Sequence, residues 1–401
     1  MRILLTDGDD RIALAAARSL GRAGHRVIVT ASHARSLAGV SRHCRSEECV
    51  ANAFTAPERF IADLEHVVAR HRVDLLLPIS EASMALVLLH RERFAGVTIP
   101  FGGFDAWLAL NDKVRVLDLA RSLGIDGPRY ELVDSRGDVH ELARRPRSYP
   151  VYVKPTRSTA LGEDHRLLTS VVTRVRDMDE LIAALSAVSP AHYPVMLQEP
   201  VHGQGVGIFL CRWRGVVVAQ FGHRRIREFP RTGGVSVVRE SVALDGDELA
   251  ASAALLAALG WAGVAMLEFR RDSRTGRLVL MEINGRFWGS LQLAIDAGVD
   301  FPALLVQAAT HGPEGPPPAY RTGVRSRWFW GDVDFLVQMV RERRAEGGTL
   351  RASVADFLRD SGPSVRSEVF RYSDPFPGLL ESYRWIAPRI LKRVGRGRGD
   401  A

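Results

Sequence analysis

The chain has 401 residues, 46% of them hydrophobic, and a formal net charge of +8. That length holds two or three packed domains. No apolar run approaches the roughly 20 residues of a membrane span, so no span is expected and the expected location is the cytoplasm. Cys44, Cys49 and Cys211 fit a reduced compartment, and they lack the paired ligand spacing of a structural zinc site. Basic residues are spread along the chain and concentrated only at its end, which favours small acidic substrates over nucleic acid.

Residues 1–110 read as alternating strands and helices. Arg2 to Thr6 is a strand, Asp7 to Asp10 a turn, and Ile12, Ala16 and Leu20 recur at helical spacing. Val27 to Val29 is the next strand, Thr55 and Glu58 have capping-box spacing ahead of a helix to about Arg70, and Val73 to Pro78 is a further strand. This rhythm predicts a parallel, Rossmann-like sheet. The first turn has no G-x-G-x-x-G and carries Asp7, Asp9 and Asp10 where a pyrophosphate would sit, which argues against a nicotinamide dinucleotide. Ser80 and Glu81 follow a strand's carboxyl end, a place for either a ligand contact or a helix cap.

Residues 111–190 open with a helix from Asn111-Asp112-Lys113, with Val114, Leu117, Ala120 and Leu123 inward and Gly124 as its stop. Tyr149 to Pro155 reads as a strand that delivers Lys154 at its end. Of the 54 basic residues only Lys113, Lys154 and Lys392 are lysines; where Arg is the default cation, a retained Lys points to a need for its compact ammonium. A stretch with a single glycine, Thr156 to Gly162, follows, then a helix Asp179–Ala187 and a strand Val195–Pro200.

Gly203-Gln204-Gly205-Val206-Gly207 reads as a glycine-rich turn between strands. His223 to Ser236 joins a cationic strand to a Thr-Gly-Gly turn, which serves either as a guarded sheet edge or, with Arg231 beside exposed N–H groups, as an anion nest. A helix Asp245–Leu259 leads to the hairpin Trp261–Gly289, turning at Asp272 to Gly276. Period-two alternation puts Val264, Met266 and Glu268 on one face, and Leu278, Leu280, Glu282 and Asn284 on one face of the returning strand. A loop of about five residues sets Glu268 across from Glu282 with Asn284 one step on. Carboxylates in an apolar hairpin need compensation: either arginines such as Arg270 and Arg286 neutralise them, or two carboxylates and an amide hold Mg²⁺ beside nucleotide phosphates.

Met281 to Gly289 resembles the E-x-N-x-R signature of the ATP-grasp superfamily, and a lysine opening one segment with another in a V-K-P strand resembles the phosphate lysines of the same superfamily. The resemblance covers about residues 1–312. It implies an α/β and α+β chain with a Rossmann-like domain (1–110), a small ATP-grasp subdomain (111–190), a large one (191–312) and a C-terminal extension (313–401). By the same resemblance Lys113, Lys154 and Ser158 contact phosphates, Glu199 and Val201 recognise adenine, and either Gln204 or main-chain contacts take the place of the usual ribose-binding acid. Glu268, Glu282 and Asn284 then bind Mg²⁺, with Mn²⁺ as a substitute. Arg231, Thr232, Gly233 and Gly234 hold the acid substrate, and Arg286 contacts the acyl phosphate, with Arg286, Arg231 and Lys154 as the catalytic set.

The activity so implied is ATP-dependent ligation of a small carboxylic acid to an amine. The alternatives are an ATP-dependent carboxylase, a carbamoyl-phosphate-type enzyme, or a nucleotide sensor without turnover. The segment after the Gly312 to Pro318 linker shows no motif; packing on the core, covering the site and a homodimer contact are all open to it. Its basic, aromatic stretch Tyr383–Val394 reads as a terminal helix, solvated or lying on a membrane surface.

Overall fold

The computed structural model describes residues 1–138, 147–157, 159–161, 167–169, 172–230, 234–345, 349, 351, 354–355, 357–358 and 365–396. The first section runs β1 (Arg2–Leu5), α1 (Arg11–Arg22), β2 (Arg26–Ala31), β3 (Cys44–Cys49), α2 (Pro57–His71), β4 (Leu75–Leu77) and α3 (Glu81–Leu89). Its strands form one parallel sheet in the order β3-β2-β1-β4. Ile3 to Leu5 and Leu75 to Leu77 are fully buried, as strands covered on both faces require.

Three local features differ from the sequence expectation or resolve it. β3 is an unanticipated strand whose polar sequence CRSEEC carries no apolar period, because it lies at the sheet edge. Helix α2 begins at Pro57 with Ala56 at the cap position and no side-chain cap, so Thr55 does not cap it; proline's fixed φ and missing N–H suit the first helical turn. Ser80 is a helix cap, bonded reciprocally with Ser83.

The chain continues through α4 (Phe104–Asn111) and α5 (Lys113–Ser122), where the Asp112 carboxylate accepts from the Arg115 N–H at 3.1 Å and makes Lys113 the first helical residue. A second sheet follows from β5 (Tyr130–Val133), β6 (Val151–Pro155), a separate hairpin of β7 (Thr159–Leu161) and β8 (Leu167–Thr169), then β9 (Thr173–Val175), α6 (Met178–Ala187) and β10 (Val195–Gln198). It is antiparallel, in the order β5-β10-β6-β9. Val133, Val151, Val153, Leu181, Leu185 and Val195 give this unit a core of its own.

The third sheet contains β11 (Gly203–Trp213), β12 (Val216–Phe229) and β13 (Val235–Ser241). After α7 (Gly246–Ala258) come β14 (Gly263–Asp272) and β15 (Leu278–Asn284). α8 (Leu291–Ala297), α9 (Phe301–His311), β16 (Arg325–Arg327), α10 (Phe329–Ala345), β17 (Arg366–Ser367) and α11 (Phe376–Arg396) complete the described chain. Strand order is β15-β14-β11-β12-β13-β16-β17. The glycine-rich stretch at 203–207 is therefore the start of a strand and not a turn. The cationic strand β12 is interior, between β11 and β13, so its charges do not guard an edge.

The segment after Gly312 packs on the core. β16 pairs with β13, Arg18 Nε lies 2.8 Å from Asp374, Arg11 Nη1 lies 2.8 Å from Glu368, and Arg384 Nη1 lies 2.6 Å from Asp9. On α11, Trp385 stacks on Trp330 at 4.1 Å between ring centroids and Arg389 bonds Asp334 at 2.9 Å, which spends those groups on the protein instead of on a membrane surface. Among the described residues no single helix is long and apolar enough to cross a membrane.

The Arg18–Asp374 pair is 2% exposed on each side chain. Burial raises the Asp374 carboxyl, but hydrogen bonds from Ser41 and Arg18 outweigh it and hold the group below its ordinary value. A depressed carboxyl contributes stability above its unfolded value, and that contribution fades as pH falls through the folded value. Asp374→Ala, which leaves a buried guanidinium unpaired, is expected to cost about 3–5 kcal/mol, read as a lower urea midpoint at neutral pH. An unchanged midpoint would show that the extension is not anchored there.

Candidate active site

Hairpin β14–β15 pairs Glu268 with Glu282 and Met266 with Asn284, the register expected from alternation. The parity does not run on to Leu280, because a bulge between Glu268 and Phe269 sets Leu280 opposite Phe269 in the core and leaves Met281 at the cleft. The two acids, Asn284 and Arg286 line a cleft of about 830 Å³, facing Lys154 and Tyr152 of β6 and Val201.

Each charge has a specific counterpart. Arg225 Nη2 lies 2.7 Å from Glu268 Oε2, and its Nη1 lies 3.1 Å from Glu228 Oε1. Lys113 Nζ lies 4.0 Å from Glu282 Oε2, while Asn284 Nδ2 donates to Glu282 Oε1 and Arg286 Nη2 to Asn284 Oδ1, both at 3.3 Å. Of the arginines expected to neutralise the hairpin, Arg270 instead bonds Gly203 O at 2.9 Å and Glu228 at 3.4 Å; the task for Glu268 falls to Arg225.

Burial raises the Glu268 carboxyl, with the facing Glu282 adding to the effect, in spite of Arg225. For Glu282 burial acts in the same direction, but Lys113 and Lys154 outweigh it and the carboxyl is held low. Burial lowers the Lys154 ammonium, against the pull of Glu282. Buried cations and anions in this state, gathered in a cleft, make this the candidate site for a charged ligand.

The glycines of β11 explain how Arg225 reaches its partner. Arg225 sits on β12 and Glu268 on β14, with β11 between them. A Cβ at Gly205 would stand 2.7 Å from Arg225 Cδ, and one at Gly207 would stand 2.8 Å from His223 Nε2. The bare backbone of β11 is the lane over which the guanidinium crosses. Gln204 alternates to the other face, where it is exposed and donates to Arg225 O at 3.1 Å. Glu199 is likewise exposed, its N–H bonded to Arg129 O at 3.0 Å. Val201 and Gly234 line the cleft; Ser158, Arg231, Thr232 and Gly233 lie outside the described residues.

Sequence reasoning passed over Arg225, Glu228, Arg239 and His223, all on the cleft wall. The signal was present in the alternation of His223 and Arg225 along β12, but it takes the strand's interior position to decide its meaning. As for a cation, no three His, Cys, Asp or Glu side chains converge among the described residues. The hairpin offers two carboxylates and an amide, which fit a Mg²⁺ that takes its remaining ligands from water and phosphate.

The family model described as ATP-grasp in the biosynthetic pathway with Ter operon matches residues 192–331. No curated relative matches by sequence. Among solved structures the chain is similar to an L-amino acid ligase from Bacillus licheniformis, at 17% identity and TM-score 0.59 over 77% of this chain and 73% of that one. Biotin carboxylase from Campylobacter jejuni matches at 17% identity and TM-score 0.61, over 81% and 74%. N5-carboxyaminoimidazole synthetase from Staphylococcus aureus matches at 16% and 0.58, over 79% and 78%. At these identities the likeness shows the fold.

Proposed function

On the premise that this chain is a member of the ATP-grasp superfamily, we propose that it is an ATP-dependent carboxylate–amine ligase. The observation that carries the reading is the convergence of Lys154, Arg286, Glu268, Glu282 and Asn284 on one cleft, with Lys113 at its border. Lys113 and Lys154 hold the triphosphate, and Glu268, Glu282 and Asn284 hold Mg²⁺, which screens phosphate charge when bound. The fixed charges position the reactants and stabilise transferred charge without reorganising.

A carboxylate oxygen of the acid attacks the terminal phosphorus, and the bond to the ADP oxygen breaks. Arg286 neutralises the acyl phosphate so formed. The amine nitrogen then attacks the carbonyl carbon, loses a proton and displaces inorganic phosphate. Because Arg286 acts on the intermediate, Arg286→Ala is expected to lower kcat by about a hundred-fold or more with a smaller change in the Michaelis constant for ATP; a raised Michaelis constant with kcat unchanged would place it in ground-state binding. The reading is tested by ADP release from paired acids and amines with mass detection of the product, with bicarbonate as the carboxylase arm. ADP release that needs both an acid and an amine supports it; release with bicarbonate alone overturns it.

A further inference from the structure

The end of the cleft lined by His223, Arg239 and Trp288 holds more donors than the described protein satisfies. Arg239 on β13 is 1% exposed, and its Nε has no partner among the described residues. Trp288 Nε1 and His223 Nε2 are in the same state on residues that are each 1% exposed. All three residues line the cleft. Ser290 Oγ lies 3.2 Å from His223 Nδ1, so the hydroxyl can donate to Nδ1 and leave the proton on Nε2, which lies against the bare backbone of Gly207. Phe209 fixes both rings, at 4.7 Å from the imidazole and 4.2 Å from the indole.

Charge points the same way. Glu368, from the segment after α10, is 4% exposed, pairs with both Arg239 and Arg11, and accepts from Ser326 Oγ at 3.0 Å. Arg239 and Arg11 share Glu368, with Glu381 also beside Arg11, and Arg225 lies close enough that its charge and that of Arg239 add to burial in lowering His223 well below its ordinary value. A neutral imidazole, an indole N–H and a guanidinium Nε are donors in search of an acceptor-only group.

We propose that this end of the cleft binds a carboxylate that takes no part in the reaction, carried either by the acid substrate or by the amine, with Arg239 as its cation and Glu368 as the residue that positions Arg239. The nature of the ligand rests on the ligase reading; the pocket does not. The C-terminal segment then completes the substrate site.

The test uses calorimetry on the full chain with Mg²⁺ and a non-hydrolysable ATP analogue filling the phosphate site. Succinate and glutarate are titrated against acetate, and glycine and β-alanine against methylamine. At least a ten-fold preference for the extra carboxylate is expected in one arm, and that arm identifies the source. The preference is expected to collapse in Trp288→Phe, Arg239→Lys and Glu368→Gln, each checked for an unchanged far-UV spectrum, and to return in Glu368→Asp. A merely structural Glu368 would lower the melting temperature and leave the preference intact. No preference in either arm, or one that survives Arg239→Lys and Trp288→Phe, overturns the proposal. Anion binding without ADP release overturns the ligase reading alone.

Discussion

Lys154→Ala is expected to weaken ATP binding by about ten- to hundred-fold, the value of a charge-assisted contact to phosphate, while the fold survives because the side chain lies at the cleft and not in the core of the second sheet. Lys154→Arg is expected to recover little of this, since a planar fork does not replace a compact ammonium at the end of β6. Burial already lowers the Lys154 ammonium. In the proposed role the protonated form binds phosphate, so affinity in the wild type is expected to fall with rising pH sooner than an ordinary lysine would dictate, and this alkaline limb disappears in Lys154→Ala. Nucleotide titrations across pH measure both effects; an affinity unchanged by the alanine substitution would remove Lys154 from the phosphate site.

Glu282→Gln carries the second large effect. The carboxylate lies between Lys113 at 4.0 Å and Asn284 at 3.3 Å, and it faces Glu268 across the strand pair. Converting it to an amide removes one of the two anionic ligands proposed for Mg²⁺ and leaves the neighbouring ammonium groups less compensated. The Mg²⁺ concentration needed for half-maximal ATP turnover is expected to rise by about ten- to hundred-fold, on the scale seen when groups at a metal site are altered. A Mg²⁺ titration that superimposes on the wild-type curve would mean that the acids serve only to balance Arg225 and the lysines.

The hairpin was legible because its acids break an alternating apolar pattern, and a five-residue turn leaves one register in which both face the same way. The lysines stood out against an arginine-rich background, and α5 with its Asp112 cap begins where the sequence places it. What was not legible depends on pairing between distant strands. The bulge that turns Leu280 into the core has no signature at Met281. The charge on Arg225 reads as an edge device until β12 is found between β11 and β13. The G-x-G-x-G of β11 reads as a turn until Arg225 is seen crossing it. Glu368 stands 129 positions from Arg239 in the chain, as their numbers show, and it is the pairing of β17 with β16 and of β16 with β13 that brings that segment to Arg239.

In the proposed reaction the cleft transfers the terminal phosphoryl group of ATP to a carboxylate oxygen. The most direct measurement takes the acid identified by ADP release, labels its carboxylate with heavy oxygen, and weighs the inorganic phosphate formed with the amide product. Transfer of one labelled oxygen to phosphate in each turnover is the predicted result; phosphate released without label would contradict it.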